Sequence, residues 1–289
     1  MAFVRGSVVI GFTGRVSSPD SGQFDADEVA AVFGRTAATY DIVIPFFTTF
    51  GARLVEAAAL EVGERVLDAG CGRGATLLPA SVAVGSVGRV VGIDLAEEMV
   101  ARLGAELEAA GVDNATVRVG NAQALDMDAA SFDVVLSQMV LHLLPDPPTA
   151  AAEFFRVLGP GGRCVASVPS DSPGWEFIGE IYGRYFPQAT GPMAVPFRPE
   201  FDLLATLAGA GFEIVSDQQV EVEFHFPDED GWWEWGWGNG IRALYEVLPP
   251  DALDALKRDV FAVLASRRTP DGIPYVQRVR LVVGTKPAG

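Results

Sequence analysis

"VLDAGCGRGATLL", Val66 to Leu78, decides the fold of this chain. It is an apolar run, the length of one buried strand, that breaks into glycines at alternate positions, Gly70, Gly72 and Gly74. Glycine adopts backbone conformations closed to other residues and lets a backbone come close to a ligand. A strand, a glycine turn and a helix in that order mark a nucleotide-type site at the carboxyl end of a parallel sheet. The bare pattern does not say which nucleotide, because Gly70-x-Gly72-x-x-Ala75 also satisfies a dinucleotide fingerprint.

Around this stretch the pattern alternates. "RVLDA", "RVVGID", "ATVRVG", "FDVVLS" and "GGRCVASVP" read as five strands, β-branched and apolar on both faces. Between them lie a helical run from Ala75 to about Val84, "LAEEMVARLGAELEAAG" ending at Gly111, and "DPPTAAAEFFRVL" with prolines in its first turn. "RPEFDLLATLAGAG" continues the alternation as a helix, and "FEIVSDQQVEVEFHF" and "YVQRVRLVVGTK" read as two long strands. The expected fold is therefore α/β: a Rossmann-like, mainly parallel seven-stranded sheet with helices on both faces. An N-terminal helical cap precedes it, and helical insertions flank the sixth strand.

The expected organisation is a flexible leader over 1–24, the cap over 25–60 and the core over 61–169. An aromatic insertion over 170–197 follows, the core continues over 198–226, a Trp-rich insertion spans 227–270, and the last strand lies in 271–289. In the cap, Asp25 is a candidate helix start, Gly34 and Pro45 are expected to divide the segment, and Phe46, Phe47 and Phe50 give an aromatic face.

Composition narrows the function. The chain has 289 residues, 49% of them hydrophobic, and a net charge of −17 with only 21 Lys and Arg. A nucleic-acid binder needs clustered cations, so nucleic acid and anionic membrane surfaces are excluded as expected partners. The apolar stretch near the amino terminus is too short to span a bilayer and lacks a signal-peptide cleavage site, which points to the cytoplasm. Cys71 and Cys164 offer neither a disulfide framework nor metal-ligand spacing, so no metal is expected.

Three features separate the readings of the glycine turn. Asp68 stands two residues before Gly70, where a carboxylate suits a cationic ligand group and repels a pyrophosphate. "GNA", Gly120 to Ala122, closes the third strand with an amide, Asn121, that can meet an adenine edge. "LGPGG", Leu158 to Gly162, is a sharp turn into the fifth strand. Asp94, at the end of the second strand, can accept both hydroxyls of a ribose.

With "VLDAGCGRG", "VVGIDLAEEM", "GNAQAL", "FDVVLSQMVLHLLPD" and "LGPGGRCV" in order, the chain resembles the class I S-adenosylmethionine-dependent methyltransferases, in the branch that includes ubiquinone and sterol methyltransferases. The resemblance runs from about Tyr40 to Pro169 and implies S-adenosyl-L-methionine as cofactor and S-adenosyl-L-homocysteine as product. It implies that Gly70 and Gly72 pack on the methionyl part with Asp68 near its ammonium, and that Asp94 takes the ribose. Leu95 and Met99 would line the adenosine, Asn121 and Ala122 would meet the adenine, Gln138 would offer backbone to the methionyl part, and Tyr40 would close over the cofactor. Many relatives carry Asp where this chain has Asn121.

The implied activity is methyl transfer to an oxygen, nitrogen or carbon of a small, largely apolar or aromatic acceptor, by a monomer or homodimer. A cofactor-bound protein of the same fold that transfers no methyl, a cyclase or an accessory subunit, is the alternative. His142, at the carboxyl end of the fourth strand, is the candidate base, though a hydrogen-bonded wall residue is the stronger expectation for it; relatives often have two histidines there, and Leu143 replaces the second. Acceptor-binding candidates come from the insertions: Tyr182 and Tyr185 from the first, Trp233 and Trp237 from "GWWEWGWGNG" in the second.

Overall fold

The computed structural model describes residues 26–186 and 201–288. The expected leader, Asp25 and the end of the aromatic insertion from residue 187 lie outside the described residues. The strands are β1 (Arg65–Ala69), β2 (Arg89–Asp94), β3 (Ala115–Val119), β4 (Phe132–Gln138), β5 (Leu158–Pro169), β6 (Glu213–Phe226) and β7 (Ile273–Thr285). They form one sheet in the order β3-β2-β1-β4-β5-β7-β6. Neighbours pair in parallel except β7, which runs antiparallel to both β5 and β6.

Alternation along each strand sends side chains to two separate cores. Leu67, Ala69, Ile93, Val135, Cys164 and Val282 pack with Phe154 of α5 (Pro147–Val157) and Leu207 of α7 (Leu203–Gly209). Their neighbours Val66, Val90, Val134, Leu136, Val165 and Leu281 pack on the other face with α2 (Phe46–Ala58), α3 (Leu77–Val84) and α4 (Glu97–Ala110). A sheet covered on both faces needs strands apolar on both, as these are. The chain leaves β1 for β2 on one side and places β4 on the other, so a crevice opens at the carboxyl ends of β1 and β4.

Three local expectations shift. Gly34 does not divide the cap: it lies inside α1 (Ala26–Thr36), where a Cβ would run into the Glu98 carboxylate of α4. The break falls instead at Asp41 and Pro45. Asp41 sits at φ 60 and accepts the Phe47 and Thr48 N–H groups at 2.7 and 2.8 Å, capping α2 from outside the helix. The helix after the glycine turn starts at Leu77 rather than Ala75, because the Thr76 side chain turns back to Asp68. After Pro169, where regularity breaks down in the sequence, a helix α6 (Pro173–Tyr185) opens with proline in its first turn.

The two insertions merge into one aromatic body. α6 packs with α8 (Glu229–Trp237), α9 (Arg242–Val247) and α10 (Pro250–Arg267) around Tyr182, Trp232, Tyr245, Val260 and Tyr275, and this body meets Phe46 and Phe50 of α2. The cap is tied to it by charge: Glu246 of α9 accepts Arg35 Nε at 3.0 Å and Arg242 Nε at 2.6 Å. α1, α2 and the aromatic body thus roof the crevice that the sheet leaves open. Among the described residues, no helix is long and apolar enough to cross a membrane.

Candidate active site

The glycine turn closes on the end of β2. The Gly70 and Cys71 N–H groups both donate to the Ile93 carbonyl, at 2.8 and 2.9 Å. Gly70, Gly72 and Gly74 all sit at positive φ, +79, +48 and +85, the region where side chains are strained. Their surroundings differ. A Cβ on Gly70 would collide with Val140, and one on Gly74 would lie 2.7 Å from Leu103. At Gly72 the nearest atom is a ring carbon of Tyr40 at 4.0 Å, so this glycine faces open space.

Asp94 fixes the floor of that space. Its Oδ2 accepts the Gly72 N–H at 2.8 Å and its Oδ1 accepts the Ala96 N–H at 2.9 Å. Burial pushes the carboxyl above its usual range, while the Ala96, Gly72 and Leu95 N–H groups pull it back down. No cation pairs with it among the described residues, and its lone-pair sites outnumber the three N–H groups it meets. That is what a vicinal diol needs.

Asp68 lies one layer deeper. It is fully buried and not in the cleft wall; Thr76 Oγ1 donates to its Oδ2 at 2.5 Å, and its Oδ1 has no partner. Burial pushes its carboxyl up to about 7, with Thr76 lowering it and the nearby Asp94 charge raising it. A cation close by would stabilise the ionised form of this buried carboxylate and match its free oxygen. The unmatched oxygen, the open side of Gly72 and the free lone pairs of Asp94 fit a ligand that carries a cationic head and a ribose.

Tyr40, Gly70, Gly72, Asp94, Leu95, Met99, Asn121, Ala122 and Gln138 line one cleft. Tyr40 stacks on Phe47 at 4.3 Å and meets Phe33 edge-on, and burial keeps its phenol protonated. Asn121 Oδ1 accepts the Gln123 N–H at 2.9 Å and retains a second lone pair. The Gln138 side chain is held by donating to the Phe47 carbonyl at 2.7 Å. Met139, next in line, holds a left-handed φ of 54 and donates its N–H to the Ser167 carbonyl at 2.9 Å. Such strain in a non-glycine residue persists only where its surroundings enforce it, and it clusters at functional sites.

The same cleft includes an aromatic chamber walled by Phe46, Trp175, Trp235, Ile241 and Tyr275. His142, in a 3₁₀ turn over Leu141–Leu143, lines it too, and burial pushes its imidazole down to about 3. The whole space, mouth included, is about 1270 Å³.

Four residues expected at the acceptor do not reach the cleft wall. The Tyr182 hydroxyl pairs with that of Tyr245 at 2.7 Å, and Tyr185 donates to Asp259 at 3.0 Å. Trp233 stacks on Tyr245 at 4.3 Å, and Trp237 lies 5.1 Å from the same ring. The cause is helical spacing: on α8, Trp233 and Trp237 share one face, while Trp232 and Trp235 share another. Trp235 and, from α6, Trp175 take the places expected of them. Met139, Tyr275 and Gln277 were not singled out from sequence. The only signal for Gln277 is a polar residue on the buried alternation of the last strand.

A seven-stranded sheet whose last strand is antiparallel, with a glycine turn bonded to an acidic residue at the end of β2, defines a methyltransferase-type nucleoside site. Comparison with known proteins agrees. A methyltransferase domain family matches residues 67–166. Nocamycin O-methyltransferase of Saccharothrix syringae is 34% identical over 276 residues, covering 89% of this chain and 99% of that protein. Aklanonic acid methyltransferase of a Streptomyces species is 35% identical over 201 residues, covering 64% of this chain and 91% of that protein. The chain belongs to the class I S-adenosylmethionine-dependent methyltransferases, acts on small molecules and uses S-adenosyl-L-methionine as cofactor. The crystal structure of the [4+2]-cyclase SpnF superposes with a TM-score of 0.55 at 19% identity, covering 84% of this chain and 82% of that one, a likeness of fold alone.

The glycines respond differently to a methyl group. Gly72→Ala retains the fold, at a cost of roughly 1–2 kcal/mol for its left-handed φ, and loses S-adenosylhomocysteine binding because the methyl fills the cleft floor. Gly70→Ala lowers stability further, since Val140 must move. Thermal melts and calorimetric titration of both variants check this; equal losses in both would contradict it.

Proposed function

We propose that this enzyme transfers the methyl group to an oxygen atom of a small, planar, largely apolar acceptor of the secondary-metabolite type. One observation carries the reading: a single cleft joins a nucleoside-type floor to an aromatic chamber at the strained Met139. The nocamycin O-methyltransferase relative supports oxygen as the acceptor atom, and the aklanonic acid methyltransferase relative supports a secondary-metabolite-type acceptor. The partner is a small molecule, with no role for nucleic acid or membrane; the enzyme acts in the cytoplasm as a monomer or homodimer.

Bound cofactor supplies a methyl group activated on a sulfonium, and the chain's residues hold and align. Gly70 and Gly72 seat the methionyl part, with Asp68 answering its ammonium by charge from beneath the turn. Asp94 receives the ribose hydroxyls, Leu95 and Met99 flank the adenosine, and Asn121 and Ala122 meet the adenine. The backbone at Gln138 runs beside the methionyl part, and Tyr40 covers it. Phe46, Trp175 and Trp235 hold the acceptor flat and exclude water, which suits an in-line displacement that depends on alignment at about 3–3.5 Å. His142 is neutral at working pH; at about 3 its basicity is too low to strip an alcohol, so it serves as a hydrogen-bonding wall. An acceptor oxygen acidic enough to arrive ionised, as a carboxylate, enolate or acidic phenolate does, needs no base from the chain.

Incubation with S-adenosylmethionine and planar aromatic hydroxy acids should release S-adenosylhomocysteine and an O-methyl product, read by mass spectrometry; methyl found only on nitrogen or carbon would refute the oxygen assignment. A His142→Gln variant is expected to keep kcat/KM within about tenfold and leave the profile between pH 5 and 8 unchanged. A loss of roughly 10²–10⁴-fold with an altered acid limb would instead make His142 the base.

Asp68 gives cofactor binding a pH dependence. Its carboxyl is raised to about 7 in the free enzyme, and an adjacent ammonium favours the ionised form. Affinity for S-adenosylhomocysteine is then full above pH 7 and falls below it, by at most about tenfold per pH unit. Asp68→Asn weakens binding and removes the part of the slope near pH 7. A slope there that survives in the variant would exclude this role.

A further inference from the structure

One corner of the aromatic chamber is built from polar side chains. Tyr275 and Gln277 are alternate residues of β7, 1% and 3% exposed, and both line the cleft. Tyr275 Oη donates to Gln277 Oε1 at 2.5 Å. Gln277 Nε2 donates to Ser172 Oγ and to the Arg278 carbonyl, each at 2.6 Å. Ser172 Oγ accepts the Arg278 N–H and donates to the Ser170 carbonyl, each at 2.8 Å.

The direction of this chain is forced by its ends. Carbonyls only accept and a backbone N–H only donates, so the Ser172 proton goes to a carbonyl, Ser170 at 2.8 Å or Arg278 at 3.3 Å, and both Gln277 N–H groups are used. The Gln277 oxygen must then face Tyr275, whose proton can go only to it. Burial pushes the Tyr275 phenol well above its ordinary value, against the pull of the Trp175 indole N–H on its oxygen, so the proton stays in place. Rings of Trp232 and Trp235, at 5.2 and 5.5 Å, hold Tyr275 still. The protons of Tyr275, Gln277 and Ser172 are all committed, so what these three side chains can offer a ligand is lone pairs.

Position separates the corner from the methyl donor. β7 lies two strands beyond β4, roughly 10 Å at about 4.8 Å per strand, and β4 carries the backbone proposed to run beside the methionyl part. A group bound here is an anchor for the far edge of the acceptor.

We infer that the Tyr275–Gln277–Ser172 chain selects the acceptor: it takes a planar molecule with a hydroxyl or N–H donor at the edge opposite the atom that receives methyl, and rejects the same scaffold with that donor masked as an ether. This rests on the methyltransferase reading of the cleft. An ether oxygen placed here leaves buried lone pairs facing each other, which costs roughly 10- to 100-fold in affinity. Tyr275, Gln277 and Ser172 are positioning residues, and none of them exchanges a proton with the reacting atom.

The test uses the full chain saturated with S-adenosylhomocysteine, titrated calorimetrically at pH 6 with 2-hydroxyanthraquinone and with 2-methoxyanthraquinone. The wild type is expected to prefer the hydroxyl compound by roughly 10- to 100-fold. Gln277→Met brings the ratio to within about threefold, Tyr275→Phe lowers it in part, and both variants bind S-adenosylhomocysteine as the wild type does. A purely structural staple between α6 and β7 would weaken both rings equally and leave the ratio intact. A wild-type ratio near one, failure of either ring to bind, or a ratio preserved in Tyr275→Phe and Gln277→Met overturns the inference; if Gln277→Met does not fold, Tyr275→Phe decides alone. Failure of the wild type to bind S-adenosylhomocysteine would instead overturn the cofactor roles on which the inference rests.

Discussion

The Asp94 carboxylate takes the Gly72 N–H on one oxygen and the Ala96 N–H on the other, and the cleft depends on that double bond to backbone. It joins the turn after β1 to the end of β2 and the start of α4, three pieces that sheet pairing alone leaves loose. Charge-assisted bonds of this kind are about twice as strong as neutral ones, and they offset part of the cost of burying the carboxylate. The same group holds the turn open and keeps lone pairs for a ligand, so the fold and the site share one residue.

The rest follows from the reversal of strand order at β1 and β4. The sheet supplies a crevice at its carboxyl end, and the chain fills the two sides differently. Toward β2 and β3 the wall is made of glycines, short polar side chains and Met99, suited to a polar nucleoside. Toward β5 and β7 it is made of rings from both insertions and from α2, with the Gln277 corner as a polar exception. Met139 stands between, at a backbone angle that costs roughly 1–3 kcal/mol and is paid back by the packing of β4 against β5 and the aromatic body.

The nucleoside half was legible in sequence because local chemistry decides it. A turn that needs positive φ requires glycine at Gly70 and Gly72, a strand end that ties down that turn requires an acceptor at Asp94, and these sit at fixed offsets from apolar runs. The acceptor half was not. Which face of α8 meets the cleft is set by how α8 packs on β6, α9 and α10, and nothing in "GWWEWGWGNG" separates Trp235 from Trp233. Gly34 misled in the same way: it serves the close approach of α1 to α4, a tertiary contact, and not a local break. Met139 carries no mark of its strain, and Gln277 acquires meaning only through Ser172, more than a hundred residues away.

The most direct test of this account is a crystal structure of the enzyme with S-adenosylhomocysteine. The ribose hydroxyls should lie within hydrogen-bonding distance of Asp94, the adenine beside Asn121 and Ala122, and the sulfur toward Met139 and the aromatic chamber. A nucleoside bound elsewhere, or one whose ribose leaves Asp94 untouched, would contradict it.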